Sequence, residues 1–595
     1  MHVIATAGHV DHGKSTLVRA LTGMEPDRWA EERRRGMTID LGFAWTRLPS
    51  GEQVAFVDVP GHARFVSNML AGVGPVPAVL LVVAADEGWQ PQSAEHLAAL
   101  DALGVRHGLL VVTRSDLADP AAALAEACAE LARTSLAGAA AVTVSGATGA
   151  GLDQLRSMVD RLVAGLPPPD LGGPVRVWVD RAFTVKGAGT VVTGTLGAGR
   201  IDVGDELLLT PTLTRVRVRG LHALGTPQAH VAAVARVAVN LRGVDAADVR
   251  RGAAVLTPGA WLTTREVDVR LSGDAATDLP AELVLHVGSA AVPARVRPLG
   301  AEGARLALAA PLPLRIADRA LLRDPGRHRV AAGVLVLDVR PPALRRRGAA
   351  AARAAELAGM DGRVDLAGEL RRRGLARRPD LIAMGVPVPE GAVGHRVGEW
   401  LVDRARWRAW QAELLAVVER HTAEHPLDPG LPVEAARRAL ALPDVRLVPP
   451  LVTERLTLRG GRLFPTGAGA PTFPPSVLAA LDEVRARLAH APYAAPEAHD
   501  LDALGLTPAV LGAATKAGLL LRVAEGIYLL PGADAAAAAV LAGLPQPFPL
   551  TAARQALGTT RRVAVPLLEH LDARGLTRRV DASHREVVRC AEAAR

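Results

Sequence analysis

The residues with the clearest chemistry lie at the start of the chain, in the segment GHVDHGKS of residues 8–15. A strand-like HVIATA precedes this segment and a helical pattern, TLVRALTG, follows it, which is the usual context of a phosphate-binding loop. Gly8 and Gly13 let the backbone curl so that successive N–H groups face one anion, and the helix N-terminus adds its dipole. Lys14 offers a compact ammonium to the outer phosphates, and Ser15 offers a hydroxyl to Mg²⁺. We therefore predict a nucleoside triphosphate site.

Further segments supply the remaining parts of a guanine nucleotide site. The strand-like AFVDVPGH contains Asp58, placed to hold Mg²⁺ through water, and Gly61, whose N–H can meet the γ-phosphate. Thr38, in RRRGMTID, is placed to close on Mg²⁺ only while the γ-phosphate is present. Asp116 ends GLLVVTRSD with a carboxylate suited to the paired N–H donors of guanine. In this order the segments predict GTP or GDP with Mg²⁺ as cofactors, the metal residues Ser15, Thr38 and Asp58, and a base-reading loop of Ser145, Gly146 and Ala147.

Together, GHVDHGKST, RGMTID and DVPGH resemble the translational GTPases related to elongation factor Tu, over about the first 170 residues. The resemblance implies a GTPase domain at residues 1–171 that hydrolyses GTP when the ribosome stimulates it. It implies that His62 is catalytic and positions the attacking water, with Val10 and Met37 as an apolar gate beside it. The predicted nucleotide-binding residues are Gly8, Val10, Asp11, His12, Gly13, Lys14, Ser15, Thr16, Gly61, Thr113, Arg114, Asp116, Ser145, Gly146 and Ala147.

The guanine motif departs from the family pattern. The family usually reads Asn-Lys-x-Asp, whereas this chain has Thr113, Arg114, Ser115 and Asp116. Thr113 has one hydroxyl where asparagine has an amide that can tie two loops together. Arg114 can still lay its aliphatic stem over the nucleotide. We expect guanine selectivity to survive, with nucleotide affinity in question.

After the Pro- and Gly-rich linker GLPPPDLGGP the pattern changes to short alternating strands, which predict β-barrels at residues 173–258 and 260–341. The segment DRAFTVKGAGTVVTGTL of the first barrel most closely resembles the selenocysteine-specific members of the same family. A selenol is more acidic than a thiol, so its pocket should be cationic and fixed. We predict a selenocysteinyl pocket of Phe43, Asp180, Arg181 and Arg236. Without the resemblance, these arginines would equally fit an ordinary barrel surface in an Arg-rich chain.

The C-terminal half begins at the linker RPPALRRRGAAAAR and is mainly helical. Two stretches, residues 504–531 and 557–589, share Leu-Gly-x-Thr, a helix, a Gly-Leu turn and a hairpin-like tail, and two fainter copies precede them. This pattern predicts a C-terminal array of four winged-helix domains. Their predicted ranges are residues 350–408, 409–470, 473–532 and 534–595.

Taken alone, winged helices bind duplex DNA or other proteins more often than RNA, but the resemblance implies that this array holds an mRNA hairpin. In the last copy, Val563, Leu567, Leu568 and Leu571 recur at helical spacing and are predicted core residues. Pro566 is expected to bend that helix. The predicted RNA-binding residues flank this helix and follow it into the wing: Arg561, Arg562, Arg574, Arg578 and Arg579.

Composition agrees with this division. The chain has 595 residues and a net charge of +8, and residues 341–595 hold 34 Lys and Arg against 27 Asp and Glu. A basic surplus at one end is typical of nucleic-acid binding.

Cys128 and Cys590 are the only cysteines, which excludes a disulfide framework and a cysteine metal cluster. No apolar run approaches the 18 to 20 or so residues of a membrane span, and the start lacks the pattern of a secretory signal. We expect a cytoplasmic, monomeric protein with no membrane partner.

The resemblance thus implies an elongation factor that delivers selenocysteinyl-tRNA to a ribosome at UGA codons, tethered to an mRNA hairpin. Two alternatives stay open from the sequence. One is a general or initiator tRNA carrier with the same GTPase chemistry. The other is a nucleotide-switched regulator that binds duplex DNA through its winged helices.

Overall fold

A computed structural model describes residues 1–26, 38–62, 65–74, 76–391, 394–467 and 472–588 of the chain. Met37 and Cys590 lie outside the described residues. The chain divides into two compact units, residues 1–393 and 394–595. Each unit is described separately below.

The first domain of the first unit is a six-stranded sheet in the order β2-β3-β1-β4-β5-β6, parallel except for the edge strand β2. Its strands are β1 (His2–Ala7), β2 (Gly42–Arg47), β3 (Gln53–Asp58), β4 (Ala78–Ala84), β5 (His107–Thr113) and β6 (Ala140–Thr143). Its helices are α1 (Lys14–Thr22), α2 (Val66–Val73), α3 (Pro91–Ala102), α4 (Ala121–Leu131) and α5 (Leu152–Ala164). Strand β4 is buried along its whole length because helices cover both faces of the sheet. The loops after β1, β3 and β5 therefore emerge together at the carboxyl edge, where ligands bind in sheets of this kind.

The second domain is a barrel, because pairing of β10 with β11 closes the strand order β10-β15-β7-β8-β14-β11. Strand β12 extends the sheet beyond β11, and β9 pairs with β13. The strands are β7 (Arg176–Val185), β8 (Gly189–Leu196), β9 (Arg200–Asp202), β10 (Glu206–Leu209), β11 (Thr214–Ala223), β12 (Thr226–Gln228), β13 (His230–Ala232), β14 (Ala235–Arg242) and β15 (Ala254–Leu256), with a 3-10 turn at Ala246–Asp248. Val237, Val239 and Leu241 of β14 are buried, so the alternation of the strand turns Arg236 away from the barrel core.

The third domain is a closed six-stranded barrel in the order β16-β19-β18-β17-β20-β21. Its strands are β16 (Leu262–Gly273), β17 (Glu282–Val287), β18 (Ala290–Pro298), β19 (Gly303–Leu314), β20 (Arg319–Asp324) and β21 (Arg329–Asp338). The predicted succession of an α/β domain and two β-barrels is confirmed.

The first unit ends in a helical segment that buried ion pairs join to the second barrel. Its elements are α6 (Ala349–Ala358), α7 (Leu366–Arg373), β22 (Leu375–Arg377) and α8 (Arg378–Ala383). Arg353 of α6 contacts Asp268 at 2.7 Å and Asp338 at 2.6 Å, and Arg373 of α7 reaches the other oxygen of Asp338 at 2.6 Å. Arg305 also binds the fully buried Asp268, at 2.6 Å. The boundary between the two units, after residue 393, falls inside the predicted first winged helix, residues 350–408.

The second unit begins with the hairpin of β23 (His395–Val397) and β24 (Trp400–Val402), followed by three modules of helices and a hairpin. The first module holds α9 (Arg404–Glu424), β25 (Leu431–Pro432), α10 (Val433–Ala439), 3-10 turns at Val445–Leu447 and Pro449–Leu451, β26 (Leu456–Arg459) and β27 (Arg462–Pro465). The second holds α11 (Pro475–His490), α12 (Ala498–Ala503), α13 (Pro508–Lys516), β28 (Leu521–Ala524) and β29 (Ile527–Leu529). The third holds α14 (Ala533–Ala542), β30 (Phe548–Pro549), α15 (Leu550–Ala556), α16 (Arg561–Ala573), β31 (Thr577–Arg579) and β32 (His584–Val587).

The last two modules share one apolar core, which runs from Phe473 to Leu571. The four predicted core residues of α16 are buried: Val563, Leu567, Leu568 and Leu571. Pro566 lies inside this helix, and the bend predicted there stays a prediction. The winged-helix plan of the C-terminal region is confirmed in outline, whereas the individual domain boundaries stay predictions. Among the helices that the structure describes, none has the length and apolarity needed to cross a membrane.

Candidate functional site

The loop between β1 and α1 has the geometry of a phosphate cradle. Gly8 has a φ of +132°, and a Cβ there would lie 2.1 Å from the carbonyl oxygen of Val82, so only glycine fits. Gly13, also left-handed, precedes the first residue of α1. The Lys14 ammonium curls back over the loop and donates to the carbonyl oxygens of Gly8 at 3.1 Å and His9 at 2.5 Å. The Lys14 ammonium thus lies against the carbonyl groups of its own loop.

The three predicted metal residues converge beside this loop. Ser15 Oγ lies 2.9 Å from Thr38 Oγ1 and donates to a carboxylate oxygen of Asp58 at 2.6 Å. Thr6, at the centre of the sheet, holds the other Asp58 oxygen at 2.7 Å. Two hydroxyls and a carboxylate are the hard oxygen ligands that Mg²⁺ prefers, so these residues fit that ion.

A cavity of about 660 Å³ opens at this edge of the sheet. Twelve of the fifteen predicted nucleotide-binding residues line it: Val10, Asp11, Gly13, Lys14, Ser15, Thr16, Gly61, Thr113, Arg114, Asp116, Gly146 and Ala147. The other three, Gly8, His12 and Ser145, are not part of the lining. Ser145 is buried, and its hydroxyl accepts the N–H of Thr148, which shapes the loop that presents Gly146 and Ala147. The sequence prediction did not include four further lining residues, Leu17, Arg19, Glu25 and Leu117, although each neighbours a predicted segment.

Thr113 and Arg114 of the unusual guanine motif bind the phosphate loop and the acidic residues that follow β4. The buried Thr113 hydroxyl donates to the carbonyl oxygen of His12 at 2.7 Å, so this single group ties the end of β5 to the phosphate loop. Arg114 donates to Asp86 at 2.9 Å and Glu87 at 2.8 Å, and also to the carbonyl oxygen of Asp11. These acidic partners follow β4 in the segment AADEG, which the sequence prediction passed over.

His62 lies half-buried directly after Gly61, with its ring 5.9 Å from that of Phe65. Val10 lines the nucleotide cavity, while Met37 lies outside the described residues. The catalytic role of His62 and the apolar gate therefore stay predictions.

Helix α3 supports the phosphate loop from behind, which the sequence prediction missed. His96 Nδ1 accepts the N–H of Gly8 at 2.9 Å, and the side chain of Gln92 accepts the N–H of Val10 at 3.2 Å. Burial, together with the nearby charges of Lys14 and His9, lowers the pKa of His96 to about 3. A neutral imidazole therefore orders the start of the loop. In the sequence, the available signal was a histidine among the mainly apolar residues that this helix buries.

The predicted selenocysteinyl residues meet where β2 faces the first barrel. The guanidinium of Arg236 lies 3.9 Å from the ring centroid of Phe43, and that of Arg181 lies 5.1 Å from it. These residues border a cavity of about 220 Å³. A shift in the β7–β8 register between Val179 and Arg181 marks a bulge, a device that re-aims side chains. The structure brings the predicted cluster together, and its binding role stays a prediction.

Carboxylates hold both arginines in place. Asp180 pairs with Arg236 through both oxygens, one contact measuring 2.8 Å, and it accepts the Thr193 hydroxyl at 2.7 Å. Arg181 donates to Asp40 at 2.9 Å and to the carbonyl oxygen of Leu41. Arg251, a residue that the sequence prediction missed, lies 3.6 Å from the other Asp40 oxygen.

The arginines predicted to bind RNA have different environments. Arg561 and Arg579 are exposed. Arg562 instead donates to the carbonyl oxygen of Ala495 at 2.7 Å and pairs with Glu497 at 3.1 Å, which joins the last two modules. Two others have acidic partners: Arg574 lies 3.0 Å from Asp534, and Arg578 pairs with Glu586.

Family models match three parts of the chain. Residues 1–165 match the elongation factor Tu GTP binding domain, which confirms the predicted GTPase that binds GTP and GDP. Residues 264–343 match the beta-barrel domain of selenocysteine-specific elongation factor. Residues 539–585 match the winged helix of elongation factor SelB.

Individual relatives and a solved structure extend these matches. The chain is 33% identical to a selenocysteine-specific elongation factor of Escherichia coli over 630 aligned positions, covering 98% of each protein. It is 40% identical to one of Desulfomicrobium baculatum over 301 positions, covering 49% of this chain and 48% of the relative. A crystal structure described as bacterial selenocysteine-specific elongation factor EF-Sec aligns with a TM-score of 0.73 and 25% identity, over 99% of this chain and 100% of that one.

Proposed function

The chain belongs to the family of selenocysteine-specific elongation factors, and on that basis we propose that its GTP-bound form carries selenocysteinyl-tRNA to a ribosome paused at a UGA codon. We infer that it acts as a cytoplasmic monomer and that its C-terminal winged helices hold an mRNA hairpin. The convergence of Arg181 and Arg236 on Phe43 is the observation that carries this proposal.

The charge of this cluster suits a selenolate. Arg181, Arg236 and Arg251 outnumber the carboxylates Asp40 and Asp180, so a net positive charge remains. A selenol ionises more readily than a thiol, and a serine hydroxyl stays neutral, so a fixed cationic site favours the selenocysteinyl ester. The neighbouring cavity of about 220 Å³ has the scale of one amino-acid side chain.

The same cluster connects the aminoacyl pocket to the nucleotide. Arg181 contacts Asp40 and Leu41, which follow Thr38 by two and three residues. Mg²⁺ held by Ser15, Thr38 and Asp58 would neutralise phosphate charge. We propose that the γ-phosphate orders the Thr38 segment, which then holds Arg181 in its binding position.

His62 is proposed to orient the attacking water once the ribosome engages the complex. Loss of the γ-phosphate would then release the Thr38 segment. Because Asp40 of that segment holds Arg181, its release would weaken binding of the aminoacyl group. This order of events places GTP hydrolysis after codon recognition and before tRNA release.

The winged helices supply the proposed tether. Arg561 at the start of α16 and Arg579 at the wing are exposed, so both can reach RNA phosphates. Arg562, in contrast, holds the last two modules together.

Decoding of UGA by the full chain tests the proposal directly. The template carries an in-frame UGA followed by an RNA hairpin taken from the same genome, in a reconstituted translation system. We expect full-length product with selenocysteinyl-tRNA, GTP and the hairpin together, and little product when seryl-tRNA replaces the selenocysteinyl form. Equal product with either tRNA would support a general tRNA carrier instead.

Titration of the full chain with that hairpin tests the tether. The pair Arg561→Ala and Arg579→Ala should weaken binding and flatten its dependence on salt, because each removes a phosphate contact. Arg133→Ala, an exposed arginine of the GTPase domain, is the matched control and should leave binding unchanged. Tighter binding of a salt-matched DNA duplex than of the hairpin would contradict the tether and favour a DNA-binding regulator.

A further inference from the structure

Two histidines of the phosphate loop face one carboxylate beside the nucleotide cavity. His12 Nε2 lies 3.6 Å from Glu87 Oε2, and His9 Nδ1 lies 3.8 Å from the same oxygen. All three atoms lie within 4.8 Å of one another. Across the part of the chain that the structure describes, no other trio of His, Cys, Asp or Glu has this spacing.

The two nitrogens lack other partners. Both are buried, and neither has a hydrogen bond to any described residue. His12 Nδ1 lies 3.3 Å from the carbonyl oxygen of Val82, so its N–H donates there and leaves a lone pair on Nε2. That lone pair faces a carboxylate oxygen at 3.6 Å, and a cation between the two atoms would bind both.

Two of the three separations between the proposed ligand atoms, 3.6 and 3.8 Å, are close to those around a bound metal ion. Zinc-class ions bind imidazole nitrogen and carboxylate oxygen at about 2.0 to 2.2 Å, which separates neighbouring tetrahedral ligands by about 3.4 Å. The bond from His12 Nδ1 to a backbone carbonyl is the usual outer support of a metal-bound histidine. Arg114 uses Oε1 of Glu87, so Oε2 remains available. His9 is 20% exposed and Glu87 33% exposed, which leaves room for a water ligand.

We propose that His9, His12 and Glu87 bind one divalent transition-metal ion of the zinc class, and that this ion stiffens the phosphate loop. Two imidazole nitrogens select such an ion over Mg²⁺, which prefers oxygen. His9 and His12 belong to the loop itself, while Glu87 follows β4 and binds Arg114 at the edge of the nucleotide cavity. An ion here would join these segments and slow the opening that releases GDP.

Cobalt is a suitable probe because four-coordinate Co²⁺ with nitrogen ligands absorbs visible light. The full chain, kept in excess Mg²⁺ and GDP, is titrated with Co²⁺ and followed by absorption. We expect one Co²⁺ per chain at this site, with affinity at least about tenfold weaker in His9→Gln and in Glu87→Gln. Asp86→Asn is the matched control, because Asp86 also pairs with Arg114 but lies outside the trio. It should bind Co²⁺ within about twofold of the parent.

Release of fluorescent GDP gives the second readout. Zn²⁺ or Co²⁺ should slow release from the parent and from Asp86→Asn, and should have no effect on Glu87→Gln. His421 of α9 stacks on His425, which directly follows that helix, and this pair offers two further imidazoles to Co²⁺. The titration is therefore repeated in His425→Gln. Co²⁺ binding that disappears in His425→Gln and persists in His9→Gln overturns the site. Specific Co²⁺ binding without any change in GDP release overturns its coupling to the nucleotide.

Discussion

Replacing Thr113 with valine tests how this chain manages without the family's asparagine. The hydroxyl of Thr113 donates to the carbonyl oxygen of His12 at 2.7 Å, and it is buried. Valine keeps the shape and removes that bond together with the longer contact of the same hydroxyl to the carbonyl oxygen of Val83, at 3.3 Å. A neutral intramolecular hydrogen bond contributes about 0.5 to 1.5 kcal/mol net. If this energy holds the phosphate loop in its binding conformation, the Kd for GDP rises about two- to tenfold.

Equilibrium titration with fluorescent GDP, together with its dissociation rate, measures this effect, and we expect faster dissociation to account for most of it. Thr190→Val is the matched control, since Thr190 donates to the carbonyl oxygen of Val244 at 2.8 Å in the first barrel. It removes the same kind of bond and should leave GDP affinity unchanged. Equal GDP affinity in Thr113→Val and the parent, with both folded, would refute the assignment of this hydroxyl as the tie between the two loops.

Three further predictions concern folding. Arg353→Ala removes one arginine partner from each of the buried Asp268 and Asp338, which keep Arg305 and Arg373. Unfolding of the first unit should therefore become easier by about 1.5 to 3 kcal/mol in denaturant titrations, whereas the exposed Arg346→Ala should change little. Burial lowers the pKa of His286 to about 4; since its unfolded pKa is about 6.5, its stabilising effect is complete above pH 6.5 and falls by about 1.4 kcal/mol per pH unit down to about 4. His286→Gln should reduce the acid sensitivity of the unfolding free energy over that window, and an unchanged slope would contradict the burial. Arg562→Ala should lower the melting temperature by loosening the last two modules, and a loss of RNA affinity with unaltered melting would show that Arg562 contacts RNA instead.

Most residues that line the nucleotide cavity could be predicted from the sequence because they lie in local motifs. Gly8, Lys14 and Ser15 lie in one short segment, the phosphate loop and the start of α1. Thr38 precedes β2 and Asp58 ends β3, so each belongs to a short motif that the sequence shows. The three residues predicted to hold Mg²⁺ lie together, and their metal role stays a prediction.

The residues that escaped prediction depend on tertiary pairing. Glu87 finds Arg114 only because β4 and β5 lie side by side, and His96 reaches Gly8 only because α3 packs behind the loop. Arg561 and Arg562 are adjacent and chemically identical, yet one is exposed and the other is engaged with a neighbouring module. A charge pattern cannot separate two such residues, because the difference lies in which face of the helix meets protein.

The preference for the selenocysteinyl over the seryl ester tests the central claim most directly. Protection of each aminoacyl ester from hydrolysis gives its affinity for the GTP-bound full chain. We predict that Arg181→Ala with Arg236→Ala lowers the preference about 10- to 150-fold, the loss expected for a charge-assisted contact of about 1.5 to 3 kcal/mol. Arg217→Ala with Arg219→Ala, two exposed arginines of the same barrel, should leave the preference unchanged. An undiminished preference in the Arg181 and Arg236 double variant, with GTP binding intact, would contradict the account.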